Sequence, residues 1–267
     1  MIFTIIICLG SDPTGNILAP GRSGRKQLED CRRQFPRDIA TAQRSDSEGE
    51  TFMEVYADPI TVNCRKVLAG LQLMGVDYTL SKVDYFQGEQ KSPAYLAINP
   101  NAALPAMRDR DLTLWESNAI LQYAADKNGK SAFYPTDLAV RADVNRWLFW
   151  ENAHWFPSCY VFLVENCVKP LLGGKPDPDV LEKETPNFHK LAAILDARLA
   201  ESPWLCGGSP TIADISVASA MHLHEWQQLP LEQHKNLTRW MRNRVEQLPC
   251  WKNTMVYEGF TLQKAAA

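Results

Sequence analysis

The chain has 267 residues, 45 % of them hydrophobic, which is enough for one or two domains with a sizeable core. Its formal net charge is -3 and no block of like charge stands out, so the composition gives no support for binding to nucleic acid or to a membrane surface. The seven cysteines are scattered and form no C-x-x-C pair, which argues against a disulfide framework or a zinc ribbon and favours a reducing cytosol.

Residues 1–52 read differently from the rest of the chain. The opening "IFTIIICLG" is apolar but far shorter than the roughly 20 residues that a membrane-spanning helix needs. It also lacks the basic region of a secretory signal, and a polar stretch follows it. We therefore expect residues 1–52 to be a disordered or non-native extension, with a short membrane-targeting leader as the alternative.

From Met53 onwards, short strands and helices alternate in the order β-α-β-α-β-β-α. The run "MEVYA" predicts a strand, and "NCRKVLAGLQLMG" predicts a helix that Gly75 ends. A strand in "VDYTLSKVD" and a short helix in "SPAYLAINP" follow, then a hairpin of "LPAMRD" and "LTLWE". The helix "SNAILQYAADKNG" closes this part at Gly129. The order combines a parallel crossover with a final hairpin.

The second half of the chain has helical periodicity throughout. A long helical stretch with a kink near Pro157 is predicted, and Thr211 and Asp214 in "SPTIADISVAS" fit a capping box, which gives Asp214 a structural rather than a catalytic role. The predicted organisation is an α/β domain over 53–129, a linker over 130–137, an all-α domain over 138–253 and a tail over 254–267.

The stretch "DPITVNC" lies between the first strand and the first helix, where a thioredoxin-like redox motif would sit. Here the pattern is T-x-x-C, because Thr61 occupies the position of the first cysteine and Cys64 that of the second. This arrangement raises the question of which chemistry needs a hydroxyl in place of a thiol.

Four blocks, "VYADPITVNCRKV", "INPNAALPAM", "LWESNAILQYAADK" and "SPTIADISVA", together resemble the cytosolic glutathione S-transferases, and most closely their Ser-type phi, theta and related bacterial classes. The resemblance implies an α/β plus all-α fold, in which a thioredoxin-like domain precedes a helical bundle. It further implies a cytoplasmic homodimer that needs no metal. Such an enzyme conjugates glutathione, its co-substrate, to small hydrophobic electrophiles and can also reduce peroxides.

In this resemblance Thr61 takes the place of the serine that activates the glutathione thiol. A thiolate is the nucleophile, and lowering a thiol pKa from about 8.5 by two units takes about 2.7 kcal/mol of preferential stabilisation. A hydroxyl and the positive end of a helix can provide it. Threonine adds a methyl group that restricts the rotamer, so Asn63 or backbone amides are the alternative donors.

The other glutathione contacts also follow from the resemblance. Ser117, at a helix start, would hold the γ-glutamyl carboxylate and Glu116 the ammonium group. Leu104 would exchange backbone hydrogen bonds with the cysteinyl residue of glutathione, next to a cis peptide bond at Pro105.

Three further positions bear on glutathione binding, one that matches the family pattern and two that depart from it. Lys91 lies where the family has a basic residue for the glycine carboxylate, while Gln90 and Ala103 replace the histidine and glutamine that many members have. Each replacement removes a possible polar contact to glutathione.

For the electrophile pocket the sequence suggests Trp150, His154 and Tyr160, although an aromatic stripe at helical spacing is also typical of a core. Two other functions stay open at this point. One is a non-catalytic protein that binds glutathione or an apolar ligand, and the other is a thiol redox enzyme that works through Cys64.

Overall fold

A computed structural model describes residues 53–255, so the predicted extension over 1–52 and most of the predicted tail lie outside the described residues. The first part of the molecule has the predicted order of elements. It contains the strands β1 (Met53–Ala57), β2 (Tyr78–Lys82), β3 (Ala106–Asp109) and β4 (Leu112–Trp115) and the helices α1 (Val62–Met74), α2 (Pro93–Leu96) and α3 (Ser117–Lys127).

The four strands form one sheet in the order β2-β1-β3-β4. The central strand β1 runs parallel to β2 and antiparallel to β3, and β4 closes a hairpin with β3. Alternate residues of β1 are buried, as expected for a strand that packs helices against its face. The thioredoxin-like arrangement implied by the sequence is confirmed.

Helix α1 shows how the local sequence sets an element. Its buried apolar residues recur at helical spacing, and Gly75 ends it in the left-handed conformation, with φ of 60°. The Val76 amide then donates to the Leu71 carbonyl, which completes the predicted glycine cap. Arg65 and Lys66 are also fully buried in this helix, which the apolar pattern alone does not predict.

The second part of the molecule is helical, and Phe188, Leu195 and Trp240 lie in the main core, which continues into the first part. Its helices are α4 (Leu138–Trp150), α5 (Phe156–Leu163), α6 (Lys169–Leu171), α7 (Pro178–Glu201), α8 (Ile212–Ser219), α9 (Lys235–Asn243) and α10 (Pro249–Asn253).

Helices α4, α5 and α6 form one continuous helical run that is interrupted by two π-helical turns, Glu151–Trp155 and Val164–Val168. Each turn is followed within two residues by a proline, Pro157 or Pro170. Proline has no N–H to donate along a helix, and a wider turn is one way to accommodate it. The irregularity predicted near Pro157 therefore takes the form of a π-helical turn.

The predicted capping box at α8 is confirmed. The Thr211 hydroxyl accepts a hydrogen bond from the Ala213 amide at 3.3 Å, and the Asp214 carboxylate accepts one from the Thr211 amide at 2.9 Å. The same carboxylate also accepts the Leu205 amide at 2.9 Å. Asp214 is fully buried and holds the helix start in place, as its structural interpretation requires.

Candidate glutathione site at one edge of the sheet

Three of the predicted sites come together because of the strand register. Tyr56 of β1 pairs with Ala106 of β3, which in turn pairs with Trp115 of β4. This row lies at the end of the sheet where β1 and β4 finish and β3 begins, and this end is the edge of the sheet that carries the candidate site. Immediately beyond it lie the turn into α1, the Leu104–Pro105 segment and the start of α3. Since β2 runs parallel to β1, the loop that contains Gln90 and Lys91 also leaves the sheet at this edge.

Asp58 holds the turn between β1 and α1. It is buried, and its carboxylate accepts hydrogen bonds from the Ile60 amide at 3.3 Å and from the Tyr85 amide at 3.0 Å. Burial raises the pKa of this carboxyl, and the two amides oppose the shift. Asp58 thus ties the turn before α1 to the loop after β2.

Thr61 is the N-cap residue of α1, but its side chain does not cap the helix. Its hydroxyl instead donates to the Asp58 carbonyl at 3.1 Å, which also accepts the Thr61 amide at 3.0 Å. The first amides of a helix have no hydrogen-bond acceptor within the helix, and the Thr61 side chain supplies none for the first amides of α1. Asn63, the alternative donor, is half-buried within this first turn.

Cys64 lies one turn inside α1 and is completely buried. Burial raises the pKa of its thiol to about 12, and contact with the Thr61 hydroxyl opposes only part of that shift. A covered thiol that stays protonated is a poor nucleophile. Both features argue against a redox enzyme that works through Cys64.

The Leu104–Pro105 peptide bond is cis, as the resemblance implies. The carbonyl of the preceding residue, Ala103, accepts hydrogen bonds from the Tyr95 hydroxyl at 2.7 Å and from the Asn99 side-chain amide at 2.8 Å. Tyr95 and Asn99 are both buried and fix this segment from behind. Sequence reasoning missed these two residues, although both occur in the quoted helix "SPAYLAINP".

Glu116, just before α3, has an unusual backbone conformation for a residue other than glycine, with φ of 75°. Its side chain is exposed, while Ser117, the first residue of the helix, is buried. Strained residues of this kind cluster at functional sites, and the amides at a helix start bind anions. The geometry at Glu116 and Ser117 fits the role that the resemblance implies.

The two predicted residues after β2 differ in their surroundings. The Lys91 side chain is exposed to solvent. Gln90 is only 2 % exposed, and its Oε1 accepts no hydrogen bond from any residue in the described part of the chain. A buried acceptor without a partner is unusual in a folded protein.

A buried carboxylate connects the two parts of the molecule, and sequence reasoning missed it. Both oxygens of Glu151, in the first π-helical turn, accept hydrogen bonds from the Lys66 ammonium, at 2.9 and 3.0 Å. Ser216 of α8 and Asn118 of α3 also donate to this carboxylate, at 2.9 and 3.2 Å. The signal in the sequence was a single acidic residue within the aromatic run "WLFWENAHW".

The predicted pocket residues do not form one group. Trp150 stacks on Trp155 of the main core, with ring centroids 5.9 Å apart, and His154 is exposed. Tyr160 instead belongs to a separate apolar group, which we call the satellite cluster. It comprises the buried side chains of Val62, Leu163 and Cys167 and the half-buried side chains of Phe156, Tyr160, Val168, Leu223 and Trp226.

Residues 53–255 contain neither a metal-binding cluster nor a membrane-spanning helix. No group of three or more histidine, cysteine, aspartate or glutamate residues there is placed to hold a metal ion. In the same range, every helix is too short or too polar to cross a membrane.

Comparison with known proteins identifies the family of the chain. A family model described as the N-terminal domain of glutathione S-transferase matches residues 62–127, and one for the C-terminal domain matches residues 178–243. A probable glutathione S-transferase from rice (Oryza sativa subsp. japonica) is 33 % identical over 61 % of this chain and 77 % of its own length.

Solved structures agree with this relationship. A theta class glutathione S-transferase from Xanthomonas axonopodis pv. citri, solved with glutathione bound, is 29 % identical, with a TM-score of 0.68 over 77 % of this chain and 97 % of its own. Glutathione S-transferase I from maize, in complex with an atrazine glutathione conjugate, is 26 % identical, with a TM-score of 0.69 over 76 % of this chain and 95 % of its own. The chain therefore belongs to the glutathione S-transferase family, as an enzyme whose co-substrate is glutathione.

Proposed function

We propose that this enzyme conjugates glutathione to small hydrophobic electrophiles and that the start of α1 activates the thiol. The observation that carries the proposal is the N-terminus of α1, which Thr61 leaves without a side-chain cap. Amides there, together with the positive end of a helix of 13 residues, stabilise a thiolate. The same activated thiolate would also reduce peroxides.

In this mechanism the Thr61 hydroxyl has a secondary role. Its proton is engaged by the Asp58 carbonyl, so it must turn before it can donate to the sulfur of glutathione. The exchanged bond is worth about 1 kcal/mol, which a hydrogen bond to a thiolate offsets. The Asn63 side chain and the first amides of α1 act as the other donors.

The rest of glutathione binds along the same edge of the sheet. Ser117 and the start of α3 hold the γ-glutamyl carboxylate, and Glu116 pairs with the ammonium group. Leu104, next to Pro105, exchanges backbone hydrogen bonds with the cysteinyl residue. Lys91 pairs with the glycine carboxylate. The Gln90 Oε1, which has no partner among residues 53–255, accepts a hydrogen bond from an amide N–H of glutathione.

Glutathione kinetics test these assignments. We expect Ser117→Ala and Glu116→Gln each to raise the KM for glutathione by roughly tenfold, because each loses a hydrogen bond to a charged group. The matched control is Glu182→Gln, which removes an exposed carboxylate on α7. An unchanged KM in both site variants would remove the assignment of α3 to the γ-glutamyl group.

We further propose that two copies of the chain form a homodimer in the cytoplasm. Leu112 and Trp115 on the edge strand β4, and Phe149 on α4, leave 38 %, 38 % and 72 % of their surface exposed. Apolar exposure on an edge strand favours a covering partner. Sedimentation of Phe149→Asp should show monomers, whereas an undiminished dimer would exclude Phe149 from the interface.

The five cysteines in the described range are all free, which fits a reducing compartment.

A further inference from the structure

Two buried side chains hold the carbonyl of Ala103, the residue that precedes Leu104. The Tyr95 hydroxyl donates to this oxygen at 2.7 Å, and the Asn99 side-chain amide donates to it at 2.8 Å. A carbonyl oxygen has two lone pairs, so the protein fills both acceptor positions of Ala103. Tyr95 and Asn99 are 4 % and 2 % exposed, which shields both bonds from water.

The planarity of the backbone links these two hydrogen bonds to the Leu104 amide. The Ala103 carbonyl and the Leu104 N–H belong to the same planar peptide group, so a rotation of the carbonyl turns the N–H with it. Hydrogen bonds in a chain also polarise one another, and acceptance at the carbonyl therefore strengthens the N–H as a donor. The bonds from Tyr95 and Asn99 thus set both the direction and the strength of the Leu104 donor.

The short helix α2 brings the two donors together. Tyr95 lies in α2, and the Asn99 backbone amide donates to the Tyr95 carbonyl at 2.9 Å, which places the two side chains one turn apart. The Asn99 Oδ1 accepts the Asn101 amide at 3.0 Å, so the amino group of Asn99 is the end that faces Ala103. Between them Ala102 has φ of 52°, a conformation that a residue other than glycine keeps only where its surroundings impose it.

The Tyr95 hydroxyl is a permanent donor in a fixed place. Burial raises the pKa of its phenol well above the usual range, and the nearby Cys64 adds to the shift, so the hydroxyl keeps its proton at any physiological pH. The Tyr95 ring packs edge-on against the ring of Tyr56, with centroids 6.5 Å apart and an interplanar angle of 70°. Since Tyr56 belongs to β1, the donor is anchored to the sheet.

From this geometry we propose that Tyr95 and Asn99 are positioning residues for glutathione, which act on its cysteinyl residue through the Leu104 amide. The Ala103 side chain is a methyl group and offers glutathione no polar contact, so this position contributes through its backbone. The proposal rests on the proposed function, in which Leu104 exchanges backbone hydrogen bonds with the cysteinyl residue. A contact that is equally strong in the ground state and the transition state changes KM and leaves kcat unaltered.

The test replaces Tyr95 by phenylalanine in the full-length enzyme, which keeps the ring and removes the hydroxyl. With 1-chloro-2,4-dinitrobenzene as electrophile, we expect Tyr95→Phe to raise the KM for glutathione by about two- to tenfold and to leave kcat unaltered. Titration calorimetry with γ-glutamyl-2-aminobutyryl-glycine, which has a methyl group in place of the thiol of glutathione, should show the same rise in Kd. The sulfur plays no part in that binding, so the second measurement reports the backbone contact.

The matched control is Tyr123→Phe, which loses a hydroxyl hydrogen bond to Asp109 at the opposite end of the sheet and should leave KM and Kd unchanged. An unchanged Kd in Tyr95→Phe, or an equal rise in Tyr123→Phe, would overturn the proposal. If the unaltered enzyme binds the analogue but conjugates no electrophile, the proposed function fails while calorimetry still decides the positioning role. If the unaltered enzyme does not bind the analogue, both fail.

Discussion

Helices α1 and α8 both begin after a threonine, but the two threonines have different partners. The Thr211 hydroxyl accepts a hydrogen bond from an amide of its own helix and donates to Asp214, which in turn binds the Thr211 amide. The Thr61 hydroxyl faces back to the Asp58 carbonyl and leaves its helix uncapped. One helix start is complete within the protein, and the other leaves amides for a ligand.

The contrast separates two uses of the same residue type. A satisfied helix start is worth about 1 kcal/mol of stability and has nothing to offer a ligand. An unsatisfied start gives up that stability, and it can bind an anion or a thiolate. The two helices are linked, because Lys66 of α1 and Ser216 of α8 bind the same buried carboxylate of Glu151.

The largest expected effect comes from breaking this link. Glu151→Ala should lower the free energy of unfolding by about 3–5 kcal/mol, because it leaves the Lys66 ammonium buried without a counterion. Chemical denaturation measures the change. In the double variant Lys66→Met, Glu151→Leu most of the loss should be recovered. A double variant as unstable as the single one would show that the buried charge is not the cause.

Removing the carboxylate at the start of α8 should have the next largest effect. Asp214→Ala removes the acceptor of the buried Leu205 and Thr211 amides, and we expect it to lower the free energy of unfolding by about 3 kcal/mol. Urea denaturation gives the value. A loss below about 1 kcal/mol would mean that water replaces the carboxylate.

The pH dependence of the free energy of unfolding tests the burial of the Asp214 carboxyl in a second way. Burial raises the pKa of its carboxyl to about 6. The folded protein then holds this proton more tightly than the unfolded chain, so the stabilising contribution is present below about pH 4 and is lost as pH rises through 6. Denaturation from pH 4 to 7 should show this loss in the unaltered protein but not in Asp214→Asn. Parallel profiles would contradict the raised pKa.

The smallest expected effects come from replacing the two N-cap threonines. Thr211→Ala should lower the free energy of unfolding by about 1–2 kcal/mol through loss of a cap. Thr61→Ala should change it by no more than about 0.5 kcal/mol, because Thr61 is half-buried and its hydroxyl does not cap its own helix. Thermal unfolding of both variants tests this. Equal losses would mean that the Thr61 hydroxyl also holds its helix.

The sequence predicts the order of strands and helices, the glycine cap at Gly75 and the capping box at α8, because these depend on local spacing. It also gives the order along the chain of the segments that carry the site residues. The Glu151 network was not predicted because it joins side chains far apart in the sequence. The hydrogen bonds to the Ala103 carbonyl were not predicted because they depend on side-chain orientation. Trp150 and Tyr160 are both predicted pocket residues, yet a π-helical turn lies between them and their surroundings differ.

The pKa of the glutathione thiol in the bound state tests the central claim most directly. Ultraviolet difference titration of the complex should give a value below the roughly 8.5 of a free thiol. The lowered value should persist in part in Thr61→Ala, since amides of α1 remain, and should be unaltered in Thr211→Ala. A bound thiol that ionises no more readily than free glutathione would contradict the account.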